Sequence, residues 1–264
     1  MTTPRYYLEP AAIAQLTSEL LAADHGRSQR IRCYRLDGAD PHADLARNLE
    51  REVFDAAFGN TAQAMTREYG PYDNAAASLF FLCVDADAAV PVGALRVIQP
   101  SQAGLKTIND LADPAKVSTT ISTAAIADHH GITDWADCWD IGTVAVARQY
   151  RHSVQRDVGI STLLFRAMYV SAMAARVAHC VAMIDAGAYR LSHLYLGVPL
   201  VALGDSPPMS YLGSASTRAV YGYFPSFQAE MSSWRRYLPR RLAAPAAYRV
   251  LVDGANDDRL RFAR

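Results

Sequence analysis

This chain predicts a mixed α/β fold, a central mixed β-sheet flanked by helices, and three observations carry the prediction. Residues 139–184 read as strand, helix, strand, an order that needs a crossover between parallel strands. Residues 78–98 read as a hairpin, whose strands run antiparallel. Helical periodicity over residues 10–23, 43–58 and 159–176 supplies the flanking layers.

Taken in order, Ile13, Leu16, Leu20 and Leu21 recur at helical spacing behind Pro10, a residue suited to a helix start. Residues 30–36 alternate and predict a strand. Residues 43–58 predict an amphipathic helix with a stripe of Leu45, Leu49, Val53, Ala56 and Ala57, stopped at Gly59-Asn60. Ser78–Val84 and Val92–Ile98 are the hairpin strands, with the turn at Asp85–Ala89. Residues 101–134 are small and polar, with short helical stretches at Thr107–Ala112 and Ala124–Asp128. After the strand at 139–146 and the helix at 159–176, Cys180–Ile184 is a short buried strand. A short helix over Ala188–Tyr195, an extended segment over 197–204 and a last strand over 217–228 complete the order.

A chain of 264 residues is long enough to bury a sizeable core. The expected division is an N-terminal helical extension over 1–29, one α/β domain over 30–230 and a C-terminal tail over 231–264. Apolar residues make up 51% and charged residues 20%, with a formal net charge of zero, which gives no support to a nucleic-acid partner. The N-terminus lacks a basic segment followed by an apolar one, and no apolar stretch has spanning length, so neither export nor membrane insertion is expected. Cys33, Cys83, Cys138 and Cys180 are widely spaced, with no C-x-x-C and at least two inside apolar strands. A reduced, cytoplasmic protein without a cysteine metal site follows. Asp128-His129-His130 lacks further spaced ligands, so no metal is expected there either.

The densest chemistry lies at residues 138–166. An apolar strand leads through an arginine-rich loop into Arg156-Asp157-Val158-Gly159-Ile160-Ser161, where a helix begins. A helix N-terminus presents unpartnered N–H groups and the positive end of its dipole, so it accepts anions. Arg148, Arg151 and Arg156 strengthen that bias, and Gly159 lets a ligand approach the backbone. These arginines suit an anionic ligand, or solvent alone. Arg96 stands mid-strand among Leu95, Val97 and Ile98, so it needs a carboxylate, with Asp73 and Asp140 as candidates.

The order of elements and several motifs resemble the GCN5-related N-acetyltransferase (GNAT) superfamily. Its pantetheine-binding signature, Q/R-x-x-G-x-G/A, reads here as Arg156-x-x-Gly159-x-Ser161. Within the superfamily the chain is similar to acyl-homoserine-lactone synthases and long-chain N-acyl amino acid synthases over roughly residues 45–225. The segments that carry this are Arg51-Glu52-Val53-Phe54, Glu68-x-x-x-x-Asp73, Gly93–Pro100 and Trp139–Val146. Asp140 stands where those enzymes carry glutamate, Thr143 where they carry arginine, and Gly70 where a second aspartate is common.

The resemblance implies an N-acyltransferase that takes an acyl group from coenzyme A or from acyl-phosphopantetheine on an acyl carrier protein. The acceptor is a small amine such as an amino acid derivative. It implies that the donor lies along the backbone of Val144 and Val146 and on Arg148, Arg151, Arg156, Gly159, Ile160 and Ser161. It makes Asp140 the general base, Tyr195 the acid for the departing thiol, and Phe54, Asp73, Arg96 and Thr143 the acceptor side. Purely structural roles stay open: Asp140 as a loop cap, Arg96 as one half of a buried ion pair, Phe54 as core and Arg51 as a solvated helix face. Two further functions are implied as alternatives: an acyl-thioester or lipid-binding module without turnover, and a lactone synthase consuming S-adenosylmethionine.

Overall fold

A computed structural model describes residues 5–24, 29–74, 77–151, 159–190, 192–193 and 198–235. The strands are β1 (Ile31–Asp37), β2 (Ser78–Asp85), β3 (Val90–Ile98), β4 (Cys138–Val146), β5 (His179–Asp185), β6 (Val201–Ala202), β7 (Met209–Tyr211) and β8 (Ser214–Tyr223). The helices are α1 (Pro10–Ala23), α2 (Ala43–Phe58), α3 (Ala62–Tyr69), α4 (Lys106–Ala112), α5 (Thr123–His130), α6 (Ile160–Ala174), α7 (Ala186–Arg190) and α8 (Phe224–Arg235). Strand pairing follows β1-β2-β3-β4-β5-β8-β6, with β7 on β8. The sheet is mixed: β1–β2 and β5–β8 are antiparallel, and β4–β5 is the parallel pair joined through α6.

The chain folds as two compact units. One takes the described residues up to Val97 together with Thr143–Met168. The other takes Ile98–Gly142 together with the described residues from Tyr169 onward. β4 therefore contributes to both.

In the first unit, β2 is buried along its whole length, which its unbroken apolar run SLFFLCV dictates. Leu8 and Leu20 from the N-terminal segment, Tyr34 and Leu36 from β1, Leu45 and Leu49 from α2, and Phe80, Leu82 and Val84 from β2 form one core cluster. Residues 10–23 thus pack into this core. α2 buries its N-terminal half, whereas Ala56 and Ala57, expected on the apolar stripe, are exposed. Gly59 closes α2 in the left-handed region at φ 71°. Gly93 on β3 is the close-packing point: a Cβ there would fall 2.3 Å from Ile160 Cγ2 and 3.1 Å from Leu164 Cδ1 of α6.

In the second unit, β5 pairs with β8 from His179↔Tyr223 to Asp185↔Thr217. The strand expected over 217–228 ends at Tyr223, and α8 starts at Phe224. Pro225 explains the change, because proline fits the first turn of a helix and cannot donate to a sheet ladder. The short helix expected over 188–195 is α7, at Ala186–Arg190. α3 and β7 were not legible in the sequence. All four cysteines are free and buried, with Cys33 directly opposite Cys83 across β1–β2. Among the described residues no helix is long and apolar enough to cross a membrane.

Candidate active site

Two buried polar clusters hold the chemistry-bearing residues, one in each unit. In the first unit Arg96, on β3, is fully buried and donates four hydrogen bonds. Nε and Nη2 reach the two oxygens of Glu50 at 3.3 and 2.7 Å, Nη1 reaches Asp73 Oδ1 at 3.1 Å, and Nη2 also reaches the Tyr6 hydroxyl at 2.8 Å. Its guanidinium lies against three rings, 4.5 Å from the centre of Tyr69, 4.7 Å from that of Phe80 and 5.6 Å from that of Tyr6. Burial alone would lower the Arg96 pKa, but Glu50, Tyr6 and Asp73 outweigh it and hold the cation firmly charged.

Asp73 gathers three donors: Arg96, Arg47 Nε at 3.0 Å, and the Tyr6 hydroxyl at 2.5 Å. Burial pushes the Tyr6 phenol well above its usual range, so it stays a donor. Thr143, 3% exposed on β4, donates its hydroxyl to Glu50. Three residues singled out from the sequence, Asp73, Arg96 and Thr143, are thus brought together. As placed they form a closed ion network with most of their hydrogen-bonding capacity spent within the protein.

The fourth acceptor-side candidate, Phe54, is half-buried near the end of α2, its ring 5.8 Å from that of Phe58. Arg51 is no solvated face: it hydrogen-bonds the Tyr6 carbonyl at 3.2 Å and covers the Tyr7 ring at 5.4 Å. Sequence reasoning missed Glu50, Arg47 and Tyr6. The one available signal was spacing, since Glu50 stands four residues after Ala46 and seven after Ala43, on the face that α2 buries.

In the second unit Asp140 is fully buried on β4. Its Oδ2 accepts the backbone N–H of Thr107 at 2.5 Å and its Oδ1 accepts the Thr107 hydroxyl at 2.8 Å. Thr107 lies in the first turn of α4, whose N-cap, Leu105, has no side-chain oxygen to offer, so Asp140 satisfies a helix donor from a distant strand. Burial pushes the Asp140 carboxyl up to about 6, against the pull of the two Thr107 hydrogen bonds and of Lys106. Next to it Lys106 pairs with Asp110 and with the Tyr211 hydroxyl at 2.8 Å, and that hydroxyl also bonds Asp110. Arg96 takes Asp73 of its two expected partners, and Glu50 in addition.

The β4–β5 ladder runs from Cys138↔His179 to Ile141↔Ala182, while β4 continues to Val146 and β5 to Asp185. Val144 and Val146, on β4, are half-buried. Past β4, Arg148–Tyr150 form a 3-10 turn pinned by the Tyr150 hydroxyl on Asp85 at 2.9 Å. Arg148 and Arg151 are exposed there, and Arg151 Nε bonds the Val146 carbonyl at 2.9 Å. The Gly159 carbonyl accepts from Thr162 N and Leu163 N as α6 begins, and a Cβ on Gly159 would meet nothing nearer than 3.9 Å. Ile160 is buried and Ser161 half-buried in that first turn. Arg156 and Tyr195 lie outside the described residues. His129 and His130 are used within the unit: His130 stacks on Tyr221 at 4.0 Å and accepts from Gly204 N, and His129 faces Asp205.

No family model matches the sequence, and no curated protein matches it. Solved structures do. The structure of FeeM, an N-acyl amino acid synthase from uncultured soil microbes, is similar with a TM-score of 0.54 and 15% identity, over 79% of this chain and 100% of that one. That of BjaI, a CoA-dependent acyl-homoserine lactone synthase, has a TM-score of 0.49 and 14% identity, over 88% of this chain and 93% of that one. The chain has the fold of the GNAT acyltransferases.

Proposed function

We propose that this protein is an N-acyltransferase that moves an acyl group from a thioester donor, acyl-CoA or acyl-phosphopantetheine on a carrier protein, to a small amine such as an amino acid derivative. The observation that carries the reading is Asp140: a fully buried carboxyl on β4, pushed up to about 6 and held by two hydrogen bonds from Thr107. A general base works best with a pKa near the operating pH. The motif around Gly159 supports the thioester donor, and the motif around Asp140 and the name of FeeM, whose fold is shared, support the acceptor class.

A thioester is already activated, so the protein must hold two reactants and manage protons. In this reading the donor's extended arm pairs with the backbone of Val144 and Val146, as an added strand would. Its phosphates meet the α6 N-terminus at Gly159–Ser161 and the cations of Arg148, Arg151 and Arg156. Asp140, directly or through one water, takes the proton the amine loses as its nitrogen bonds to the acyl carbon. The tetrahedral oxyanion collapses, the carbon–sulfur bond breaks, and the sulfur leaves as a thiol after gaining a proton, for which Tyr195 is the candidate donor. The Glu50–Arg96–Asp73 network holds β3, α2 and the N-terminal segment rigid beside Thr143, with Phe54 farther along α2.

Purified protein given an acyl thioester and a panel of amines should release free thiol. Asp140→Asn should slow turnover about 10²–10⁴-fold, the usual worth of a general base, with donor binding retained. Unchanged turnover removes Asp140 from the mechanism. The occupation of both Asp140 oxygens by Thr107 favours a second reading, a module that binds acyl thioesters without turnover. Donor-induced thermal stabilisation with no thiol release from any acyl length is the result that selects it.

A further inference from the structure

Asp140 has electrostatic neighbours that acyl transfer itself does not use. Thr107 fills both of its oxygens, one through the backbone and one through the hydroxyl. One residue earlier, Lys106 is 3% exposed, and one turn later Asp110 is 7% exposed. The Tyr211 hydroxyl bridges these two charges from β7 and fixes the ammonium. We propose that Thr107, Lys106 and Asp110 are positioning residues that set the charge state of Asp140, with Thr107 and Lys106 holding its carboxylate form and Asp110 opposing it. This rests on the reading of Asp140 as the base.

The charge count explains the arrangement. Lys106 is already matched by Asp110, so ionised Asp140 leaves the buried cluster with one net negative charge. Protonating Asp140 discharges it, whereas two hydrogen bonds from Thr107 favour the anion. Burial raises the carboxyl most and Asp110 adds to it, while Thr107 and Lys106 pull it down; the balance, about 6, lets it both accept and release a proton. Among the described residues the charged groups that act on Asp140, Lys106 and Asp110, lie on α4. β4 and β5 contribute the thiols of Cys138 and Cys180, which burial keeps protonated, Cys180 being pushed up to about 12. A structural cap alone requires neither the buried lysine nor its tyrosine bridge.

The test is a titration that does not depend on turnover. The intact chain is labelled with ¹³C at aspartate carboxyls, and the Asp140 signal is identified by its loss in Asp140→Asn. Thr107→Val should raise the Asp140 midpoint by about one pH unit, the scale of one lost hydrogen bond to a carboxylate. Asp110→Asn should lower it, and Thr107→Ser should restore the parent value. The acid limb of the thiol-release profile should move the same way in each variant. Folded variants whose midpoint stays put, or moves in one common direction, overturn the proposal. If Thr107→Val does not fold, Asp110→Asn decides alone: a fall supports the proposal and no fall overturns it. Opposed shifts together with full turnover in Asp140→Asn would keep the control by α4 and remove the base assignment.

Discussion

Glu50 on α2 and Arg96 on β3 meet through two hydrogen bonds, Nε to Oε1 at 3.3 Å and Nη2 to Oε2 at 2.7 Å, with both side chains at 0% exposure. A pair withdrawn this completely from water stabilises only while both members are present. Glu50→Leu alone should cost about 3–5 kcal/mol, because it leaves a buried cation short of its main partner. Combining it with Arg96→Met should cost much less than the sum of the two single changes. Urea unfolding of the four proteins measures this, and additive losses would show the contact to be incidental.

Asp140 should make stability depend on pH with a defined sign. Its folded value, about 6, lies above the unfolded value near 3.9, so the folded chain holds the proton more tightly. That contribution is complete below the unfolded value and is lost as pH rises through about 6. Asp140→Asn does not titrate, so its stability relative to the parent should improve by up to about 3 kcal/mol between pH 4 and pH 7. Parallel pH–stability curves for the two proteins would contradict a raised carboxyl.

Gly93 has no room for a methyl group against Ile160 and Leu164. Gly93→Ala should cost about 1–3 kcal/mol by overpacking and displace the start of α6. Thermal melts report the stability, and acyl-CoA titration reports the displacement. An alanine accommodated with unchanged Tm and unchanged donor affinity would show that the β3–α6 contact yields.

Replacing Arg148 and Arg151 together by alanine should weaken acyl-CoA binding at least about tenfold, since a hydrogen bond to a charged group contributes about 1.5–3 kcal/mol. The loss should shrink as salt is raised, because both side chains are exposed. Calorimetric titration at two ionic strengths checks it. A loss that ignores salt would remove phosphate recognition from this turn.

The amino-acid sequence determined what repeats locally. The bounds of α1, α2, the β2–β3 hairpin strands and β4 follow from periodicity and from proline or glycine at helix ends. So does the crossover that makes β4 and β5 parallel, because a short chain reversal cannot join parallel strands. A guanidinium in the middle of an apolar strand announced its need for a carboxylate, and Asp73 meets it.

Tertiary structure alone decided which distant polar groups meet. Glu50, between Leu49 and Arg51 on an amphipathic helix, reads as solvated until α2 packs and turns it onto Arg96 and Thr143. Thr107 lies in a polar stretch without a strong period, yet folding carries it across 33 positions of sequence to Asp140. Apolar burial acts through local pattern. A hydrogen bond needs two atoms within about 3 Å of each other, which only the assembled chain specifies.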